Sequence, residues 1–333
     1  MQDYNKILSN IKKENYSPFY LLSGKETYFI DSISSILINK IVQESSNEFD
    51  FIKFYGQEAS ASEIIESARR FPMLSKYNLI IVKEAQKMRT TEYDYLANYL
   101  SQPSDHSIII FCYKNKEFDK RKKLYKNAKI YGECGDFKSL HDNQVLNWIK
   151  SFASSIRLDI SPHAIELLIS NIGNNLSRLD RELKKLKIIV SEGEIVNQEH
   201  IEKYIGISKD FNTFELQSAI GLGYFSKAFQ IAKFLSSNSK DNPIVIILGA
   251  LHSYFNKLIL LKTIGNDPSK VGINPYFLGE YKMASERFSI KQIHQALEYI
   301  MQADIESKGI GGYNKKNDTV LEELVLKLFS IKN

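Results

Sequence analysis

The chain has 333 residues, of which 43% are hydrophobic and 25% are charged, the balance of an ordinary folded protein. At this length we expect two or three domains. The formal net charge of +5 is mildly basic, which permits contact with phosphate backbones without requiring it. The first residues lack the apolar segment of a signal peptide, and no apolar run approaches the length of a membrane span. We therefore expect a cytoplasmic protein that does not enter a membrane.

The spacing of cysteine and histidine argues against several kinds of site. Cys112 and Cys134 are predicted to be free core thiols, because free cysteine is usually buried and disulfides are rare in the cytoplasm. No two of the six histidines lie four residues apart, and the cysteines do not have zinc-ligand spacing. No serine stands in a nucleophile elbow. The sequence therefore predicts no metal site, no cofactor and no catalytic residue.

Residues 1–138 alternate strand-like and helix-like segments. Continuous apolar runs such as Leu79–Val82 are typical of strands that are buried on both faces of a parallel sheet. Strands are predicted at Phe19–Leu22, Phe49–Tyr55, Leu79–Val82, Ile108–Cys112 and Lys129–Cys134. Helices are predicted between them at Tyr28–Val42, Ala61–Arg70 and Tyr93–Leu100. The repetition of strand and helix predicts a doubly wound α/β domain with a parallel sheet.

After Phe137 the strand signals stop and the pattern becomes helical. Residues 139–209 are predicted to form a small helical bundle, and residues 210–333 a further helical domain. The stretch Ile244–Leu261 is nearly all apolar at helical spacing, which predicts a deeply buried helix.

One helix of the small bundle is marked by four leucines that recur every three or four residues. Such spacing places a single apolar stripe on a helix. The four positions are Leu176, Leu179, Leu183 and Leu186. Asp180 and Lys184 lie four residues apart and are predicted to pair on the exposed face of the same helix.

A glycine and a lysine follow the first predicted strand, as they do in a phosphate-binding loop. Gly24 and Lys25 fill the second half of the pattern G-x-x-x-x-G-K-[ST]. Phe19 stands where the first glycine belongs, and Glu26 stands where a hydroxyl would bind Mg²⁺. The missing glycine removes the tight turn of backbone N–H groups, and the glutamate adds negative charge beside anionic oxygens. We therefore expect a non-functional remnant of a phosphate loop.

The second half of an ATPase site is also missing from the sequence. An acidic pair is expected directly after the predicted strand Leu79–Val82, where Lys83 and Glu84 stand. A lysine at the position that binds the metal would repel the cation. We therefore expect this chain not to hydrolyse ATP.

Four segments, in this order, carry a resemblance to a known family. They are FYLLSGKETYFID from residue 19, RRFPMLSKYNLIIVKEAQ from residue 69, EFDKRKKLYK from residue 117 and GNNLSRLDRELKKL from residue 173. Together they resemble the delta subunit of bacterial DNA polymerase III, a clamp-loader component with a degenerate AAA+ core. The resemblance implies an AAA+-like sheet domain at 1–138, a small helical lid domain at 139–209 and a helical collar for oligomerisation at 210–333.

The same resemblance implies a function and a set of partners. It implies a subunit that binds and opens the beta sliding clamp for loading onto primed DNA during replication, without a catalytic site of its own. The expected partners are the sliding clamp, the gamma/tau and delta-prime subunits of the loader, and primed DNA within the complex. The expected location is the cytoplasm, in the nucleoid-associated replisome.

The segment Phe71-Pro72-Met73-Leu74 is the main candidate for contact with the clamp. Pro72 disfavours helix at the residue before it, so the helix that begins at Ala61 should end here. The family presents two adjacent apolar side chains to a pocket of the clamp, and Met73 and Leu74 occupy the matching positions. The alternative is that Phe71, Met73 and Leu74 are core residues that close the end of the helix.

Basic and aromatic residues provide further candidates for contact with DNA or with a neighbouring subunit. Tyr313 follows a glycine cluster near the place where an aromatic residue of the family's collar meets the primer–template junction, and Tyr276 is its alternative. An exposed aromatic beside lysines can stack on an unpaired base, although ordinary packing would explain either tyrosine. A basic run is predicted to be either a solvated helix face or a contact with a neighbour or with phosphates. The run consists of Lys120, Arg121, Lys122, Lys123 and Lys126.

Two other function classes stay open at this point. One is an AAA+-type ATPase or helicase-like motor acting on DNA, against which the altered loop and Lys83 argue. The other is a plain DNA-binding module, for which the charge is mild and a groove-reading motif is missing. Saturable affinity for Mg-ATP would favour the motor. DNA binding without clamp or partners would favour the module.

Overall fold

The structure is a computed structural model that describes residues 2–43, 48–208, 210–265, 268–310 and 317–331. It contains two compact units, Met1–Ser139 and Leu140–Asn333. Each unit has its own hydrophobic core.

The first unit contains a five-stranded sheet in which every neighbouring pair of strands is parallel. The strands are β1 (Phe19–Gly24), β2 (Phe51–Tyr55), β3 (Asn78–Lys83), β4 (Ser107–Lys114) and β5 (Glu133–Phe137), in the order β2-β3-β4-β1-β5. Parallel neighbours need crossover connections, and helices supply them. The helices are α1 (Gln2–Lys12), α2 (Thr27–Gln43), α3 (Ala61–Arg69), α4 (Glu92–Tyr99) and α5 (Lys123–Tyr131).

Both faces of the central strands are buried, as the apolar runs predicted. Alternate residues such as Phe19, Leu21 and Phe111 pack in one cluster with buried residues of α3, α4 and α5. The residues between them, such as Tyr20 and Leu22, are equally buried and point to the opposite face, since side chains alternate along a strand. The prediction of a doubly wound parallel sheet is confirmed.

Two of the predicted strands are shifted in the structure. A 3-10 turn, Glu48–Asp50, precedes β2, so this strand begins at Phe51 and not at Phe49. The predicted strand Lys129–Cys134 is wrong for its first residues, which end α5, because Leu124 and Ala128 are buried at helical spacing. The chain then passes so close to the backbone of Phe19 that Gly132 has no space for a side chain, and β5 begins one residue later.

The second unit is mainly helical in its described residues. Its first four helices are α6 (Asp142–Ser155), α7 (Pro162–Ile172), α8 (Leu176–Ile189) and α9 (Gln198–Ile205). They are followed by α10 (Thr213–Leu222), α11 (Phe225–Ser237), α12 (Ile244–Ile264), α13 (Pro268–Val271), α14 (Leu278–Arg287), α15 (Ile290–Ser307) and α16 (Asn317–Ser330). Both the predicted small bundle and the predicted collar lie within this one unit. Their division at residue 209 stays a prediction.

Helix α8 has the apolar stripe that its sequence predicts. All four of its leucines are buried. The Nζ atom of Lys184 lies 2.9 Å from a carboxylate oxygen of Asp180, so the predicted ion pair is present. Asp180 itself is only 8% exposed, however, and the prediction that it lies on the exposed face is wrong.

Helix α12 is apolar on most of its surface but buried on one face only, so the predicted deep burial holds for that face. Its core face carries eight buried residues, from Ile244 to Leu261, while Val245 and Ile264 are exposed. Among the described residues it is the one helix whose length and composition would suffice to cross a membrane. Its buried face belongs to the core of the second unit, where it packs with α10, α14 and α15.

Candidate functional site

Three large apolar side chains stand in solvent where α3 gives way to β3. Phe71 is 80% exposed, Met73 71% and Leu74 60%. Helix α3 ends at Arg69, and Arg70, two residues before Pro72, already has an extended backbone. These exposures exclude the alternative that the three side chains close the end of the helix as core residues. Contact with a partner would remove the unfavourable free energy of exposing these apolar side chains to water.

The carboxylate of Asp50 holds the backbone of this segment. Oδ1 accepts the N–H of Met73 at 2.7 Å, and Oδ2 accepts the N–H groups of Leu74 at 2.8 Å and of Ser75 at 2.7 Å. The hydroxyl of Ser75 also donates to Oδ2, at 2.5 Å. The residues that carry the apolar side chains are thus tied to the turn that precedes β2.

These hydrogen bonds set the charge state of Asp50. Burial of the side chain raises its pKa, but the donors of Ser75, Met73 and Leu74 outweigh that effect and lower the pKa to about 2. The group is therefore a carboxylate at physiological pH, and it accepts at both oxygens.

Two further side chains hold the same segment. The amide nitrogen of Asn78 donates to the carbonyl of Arg70. The ring of His106 stacks on that of Phe71, with centroids 4.4 Å apart and planes inclined by 14°. Asp50 precedes β2, Asn78 begins β3 and His106 precedes β4. Since these strands are parallel neighbours, the three anchors lie together at the amino end of the sheet.

Sequence reasoning missed all three anchors. Asp50 lies within a segment that was predicted to be a strand, and its hydrogen bonds span more than twenty positions of the chain. One local signal was available. Aspartate is depleted in strands, so Asp50 indicates that the strand begins after it. Asn78 and His106 carry no comparable signal.

At the carboxyl end of the sheet, where a phosphate loop would lie, the chain's own groups bind one another. Strand β1 continues as far as Gly24, which is paired in register with Lys114 of β4. Phe19, at the position of the first glycine of a phosphate loop, is a fully buried residue at the start of this strand. The residues that would form the loop are therefore strand, and two residues, Lys25 and Glu26, connect β1 to α2.

The backbone of this short connection packs against, and is hydrogen-bonded to, other groups of the chain. Gly24 has a φ of +140°, and a β-carbon there would overlap the backbone carbonyl of Phe137. The same carbonyl accepts the N–H of Glu26 at 3.0 Å. That N–H is thus not turned outward toward a ligand. Burial raises the pKa of Glu26, whose carboxylate accepts the N–H of Tyr28 at 3.3 Å.

The ends of β3 and β4 are bound to their surroundings as well. The Nζ atom of Lys114 lies 2.5 Å from a carboxylate oxygen of Asp31 on α2, and its backbone N–H donates to Gln86 at 3.0 Å. The side chain of Gln86 in turn donates to Glu84 at 2.7 Å. Lys83, at the position of a metal-binding acid, ends β3, and its carbonyl accepts the N–H of Gly56.

Part of the sequence matches that of a known family. Residues 20–133 match the sequence model of the family described as DNA polymerase III, delta subunit. The chain is 22% identical to DNA polymerase III subunit delta of Bacillus subtilis over 335 residues, which cover 96% of this chain and 95% of that protein. The chain is similar to the DNA polymerase III delta-subunit family over these residues, and to this relative along most of its length. The resemblance seen in the sequence is confirmed.

The fold is similar to that of solved structures. The fold is shared with the Bacillus subtilis DNA clamp loader delta protein, with a TM-score of 0.58, 22% identity and coverage of 98% of this chain and 99% of that one. RuvB, the Holliday junction branch migration motor of Thermotoga maritima, aligns with 11% identity over 85% of each chain and a TM-score of 0.39. The predicted parallel sheet domain followed by helices is confirmed. The family is one of subunits of the polymerase III holoenzyme.

Three members of the basic run are engaged with neighbouring side chains. Lys120 pairs with Asp136 at 2.7 Å, and Arg121 forms two hydrogen bonds of 3.0 Å with the carboxylate of Asp119. Lys123 donates to Asn98 at 2.7 Å. Helix α5 begins only at Lys123, so the prediction that the whole run forms a helix face is wrong. The two remaining members, Lys122 and Lys126, are exposed.

Of the two candidate tyrosines, Tyr276 lies within the described residues. Tyr276 is exposed, and its ring meets those of His163 on α7 and Phe277 edge-on, with centroids 4.9 Å and 5.0 Å away. It therefore combines packing on one side with an open face on the other. Tyr313 lies outside the described residues.

Both cysteines are free thiols, as predicted. Burial raises the pKa of Cys112 to about 11 and that of Cys134 to about 12. Neither thiol is therefore activated as a nucleophile or as a metal ligand near neutral pH. Within the described ranges, no group of three or more His, Cys, Asp or Glu side chains is placed to hold a metal ion.

Proposed function

We propose that this chain is the clamp-binding subunit of a bacterial clamp loader. It binds the beta sliding clamp through Phe71, Met73 and Leu74, favours an open ring, and does not hydrolyse ATP. The observation that carries the proposal is the exposure of three adjacent large apolar side chains on a backbone that is held by Asp50. Similarity to the DNA polymerase III delta-subunit family supports it, as does the fold shared with the DNA clamp loader delta protein of Bacillus subtilis.

The size of the contact limits how it can work. Burial of Met73 and Leu74 contributes roughly 3–6 kcal/mol before any ordering cost. Association of two proteins costs about 4–15 kcal/mol in lost rigid-body freedom, so two anchors cannot provide tight binding. Phe71, which extends the same apolar surface, and further neighbouring surface must therefore contribute. A methionine suits such a contact because it adapts to an imperfect pocket.

Opening of the ring needs no chemistry in this chain. If the chain binds an open ring more tightly than a closed one, it shifts the population toward the open form by that difference in affinity. The gamma/tau and delta-prime subunits are the proposed neighbours, and ATP bound by neighbours is the proposed source of energy. We place the complex in the cytoplasm, at the nucleoid-associated replisome.

The absence of ATPase activity is proposed from the carboxyl end of the sheet. In the described residues, the first-glycine position lies inside β1, the N–H of Glu26 is bound by Phe137, and Lys83 stands where an acid would hold magnesium. Each feature removes one element that a triphosphate and its metal need. Within the loader, the exposed Lys122 and Lys126 and the open face of Tyr276 are proposed contacts for DNA or for a neighbouring subunit. Tyr313 is proposed with them.

Binding to the host's sliding clamp tests the proposal. The double variant Met73→Ala, Leu74→Ala is expected to lose at least about 100-fold in affinity by calorimetry without ATP, because both anchors are truncated. Ile130→Ala is the matched control, since Ile130 on α5 is exposed to the same 71% as Met73. Unchanged clamp affinity of the double variant would overturn the assignment of the surface.

A separate measurement tests the ATPase part of the proposal. The purified chain with Mg-ATP should release no phosphate above the level of a buffer control. Turnover that disappears in a Lys25→Ala variant would revive the motor alternative. Binding of primed DNA by the chain alone, weakened by salt, would instead favour a DNA-binding module.

A further inference from the structure

We infer that Asp50 is a positioning residue for the clamp contact, which orders the backbone of residues 73–75 before any partner arrives. This inference rests on the proposed function, because it concerns how the same surface binds. Asp50 does not reach the surface itself, since it is buried. It acts through the main chain that carries Met73 and Leu74.

The carboxylate is fully used by this segment. An ionised carboxylate has two oxygens and about four acceptor positions. At Asp50 these meet the N–H groups of Met73, Leu74 and Ser75 and the hydroxyl of Ser75, at 2.5–2.8 Å. All four donors come from three consecutive residues. A buried carboxylate without such donors would be costly, so the side chain and the segment require each other.

The segment has no other regular hydrogen bonding to define it. Residues 71–77 lie between α3 and β3 and belong to neither a helix nor a strand. Without the carboxylate, three residues would have to be ordered during association, and that entropy would be subtracted from the affinity. The stack of Phe71 on His106 holds the other end of the segment, so the loss should be partial.

The chemistry distinguishes aspartate from its nearest analogue. Asparagine has the same shape, but it has one acceptor oxygen, and its amide group would face N–H groups that are themselves donors. With its oxygen at the position of Oδ2, which meets three donors, Asp50→Asn should release the N–H of Met73 and weaken the other bonds by loss of the charge, while it keeps the size of the side chain. Ser75→Ala removes only the hydroxyl bond and leaves the three backbone bonds, which makes it the milder member of a graded pair.

The test measures clamp affinity and amide exchange on the full chain. Asp50→Asn is expected to weaken clamp binding by about 10- to 100-fold, and Ser75→Ala by about threefold. Amide exchange of residues 73–75 should become faster in Asp50→Asn, while exchange within β3 and β4 stays as in the parent chain. A role in general stability alone would speed exchange in those strands as well.

The possible outcomes separate this inference from the proposed function. The Met73→Ala, Leu74→Ala variant should lose the clamp yet keep slow exchange at residues 73–75. If that variant binds the clamp normally, the proposed surface is wrong, whatever Asp50 does. If it loses the clamp but Asp50→Asn keeps parental affinity, the inference about Asp50 is wrong. Should Asp50→Asn fold poorly, Ser75→Ala decides, and parental exchange and affinity in it would count against the inference.

Discussion

The two ends of the parallel sheet differ in what they present to solvent. At the carboxyl ends of β1, β3 and β4, the chain's own carbonyls, amides and ion pairs bind one another. At the amino ends of β2, β3 and β4, three anchors hold an apolar segment out in solvent. Open α/β sheets usually bind ligands outside their carboxyl ends. Here the surface that is open to a partner lies at the other end, so the location of a site does not follow from the fold alone.

The largest effect is expected from a methyl group at the closed carboxyl end. Gly24→Ala should destabilise the chain by about 3–4 kcal/mol, because the new β-carbon meets a fixed backbone carbonyl at a φ that disfavours side chains. Urea unfolding measures the change. Gly206→Ala is the control, since Gly206 also has positive φ but an open surrounding, and it should cost about 1 kcal/mol. Equal effects would mean that the carboxyl end is less tightly closed than the structure has it.

A smaller effect, at the amino end, should depend on pH. The pKa of Asp50 is lowered from 3.8 to about 2, so its contribution is complete above about pH 4 and is lost as the pH falls toward 2. We expect about 1–2 kcal/mol in this window, after allowance for solvent screening. The free energy of unfolding of the parent chain minus that of Asp50→Asn, measured from pH 5 to 2.5, isolates the effect. A difference that stays constant over this range would contradict the prediction.

The smallest effect is expected from the ion pair at the carboxyl end. Lys114→Met should change the free energy of unfolding by less than about 1 kcal/mol, because the carboxylate of Asp31 remains largely solvated. Clamp affinity should not change, since this residue lies at the opposite end of the sheet. Thermal unfolding and calorimetry with the clamp provide both measurements. A loss of clamp affinity in Lys114→Met would contradict the view that the carboxyl end takes no part in clamp binding.

The sequence predicted those parts of the molecule that depend on local pattern. Apolar runs located three strands to within a few residues, alternation located a fourth, and the resemblance pointed to Met73 and Leu74, which are exposed. The fifth strand was misplaced because the first residues of its predicted range end helix α5. That helix buries Leu124 and Ala128 at helical spacing. The anchors were missed for another reason, since hydrogen bonds from residue 50 to residues 73–75 leave no trace in any short window of sequence.

The anchoring of one segment to three strands also limits how the chain can vary. Strand register fixes where Asp50, Asn78 and His106 stand, so the distance that the chain from Arg70 to Asn78 must span is fixed as well. Side chains along this span can change where they face solvent and lie outside the proposed clamp contact. Its length cannot, because one inserted or deleted residue would pull at least one anchor away from its partner. Relatives with the same three anchors should therefore agree in the spacing of this span.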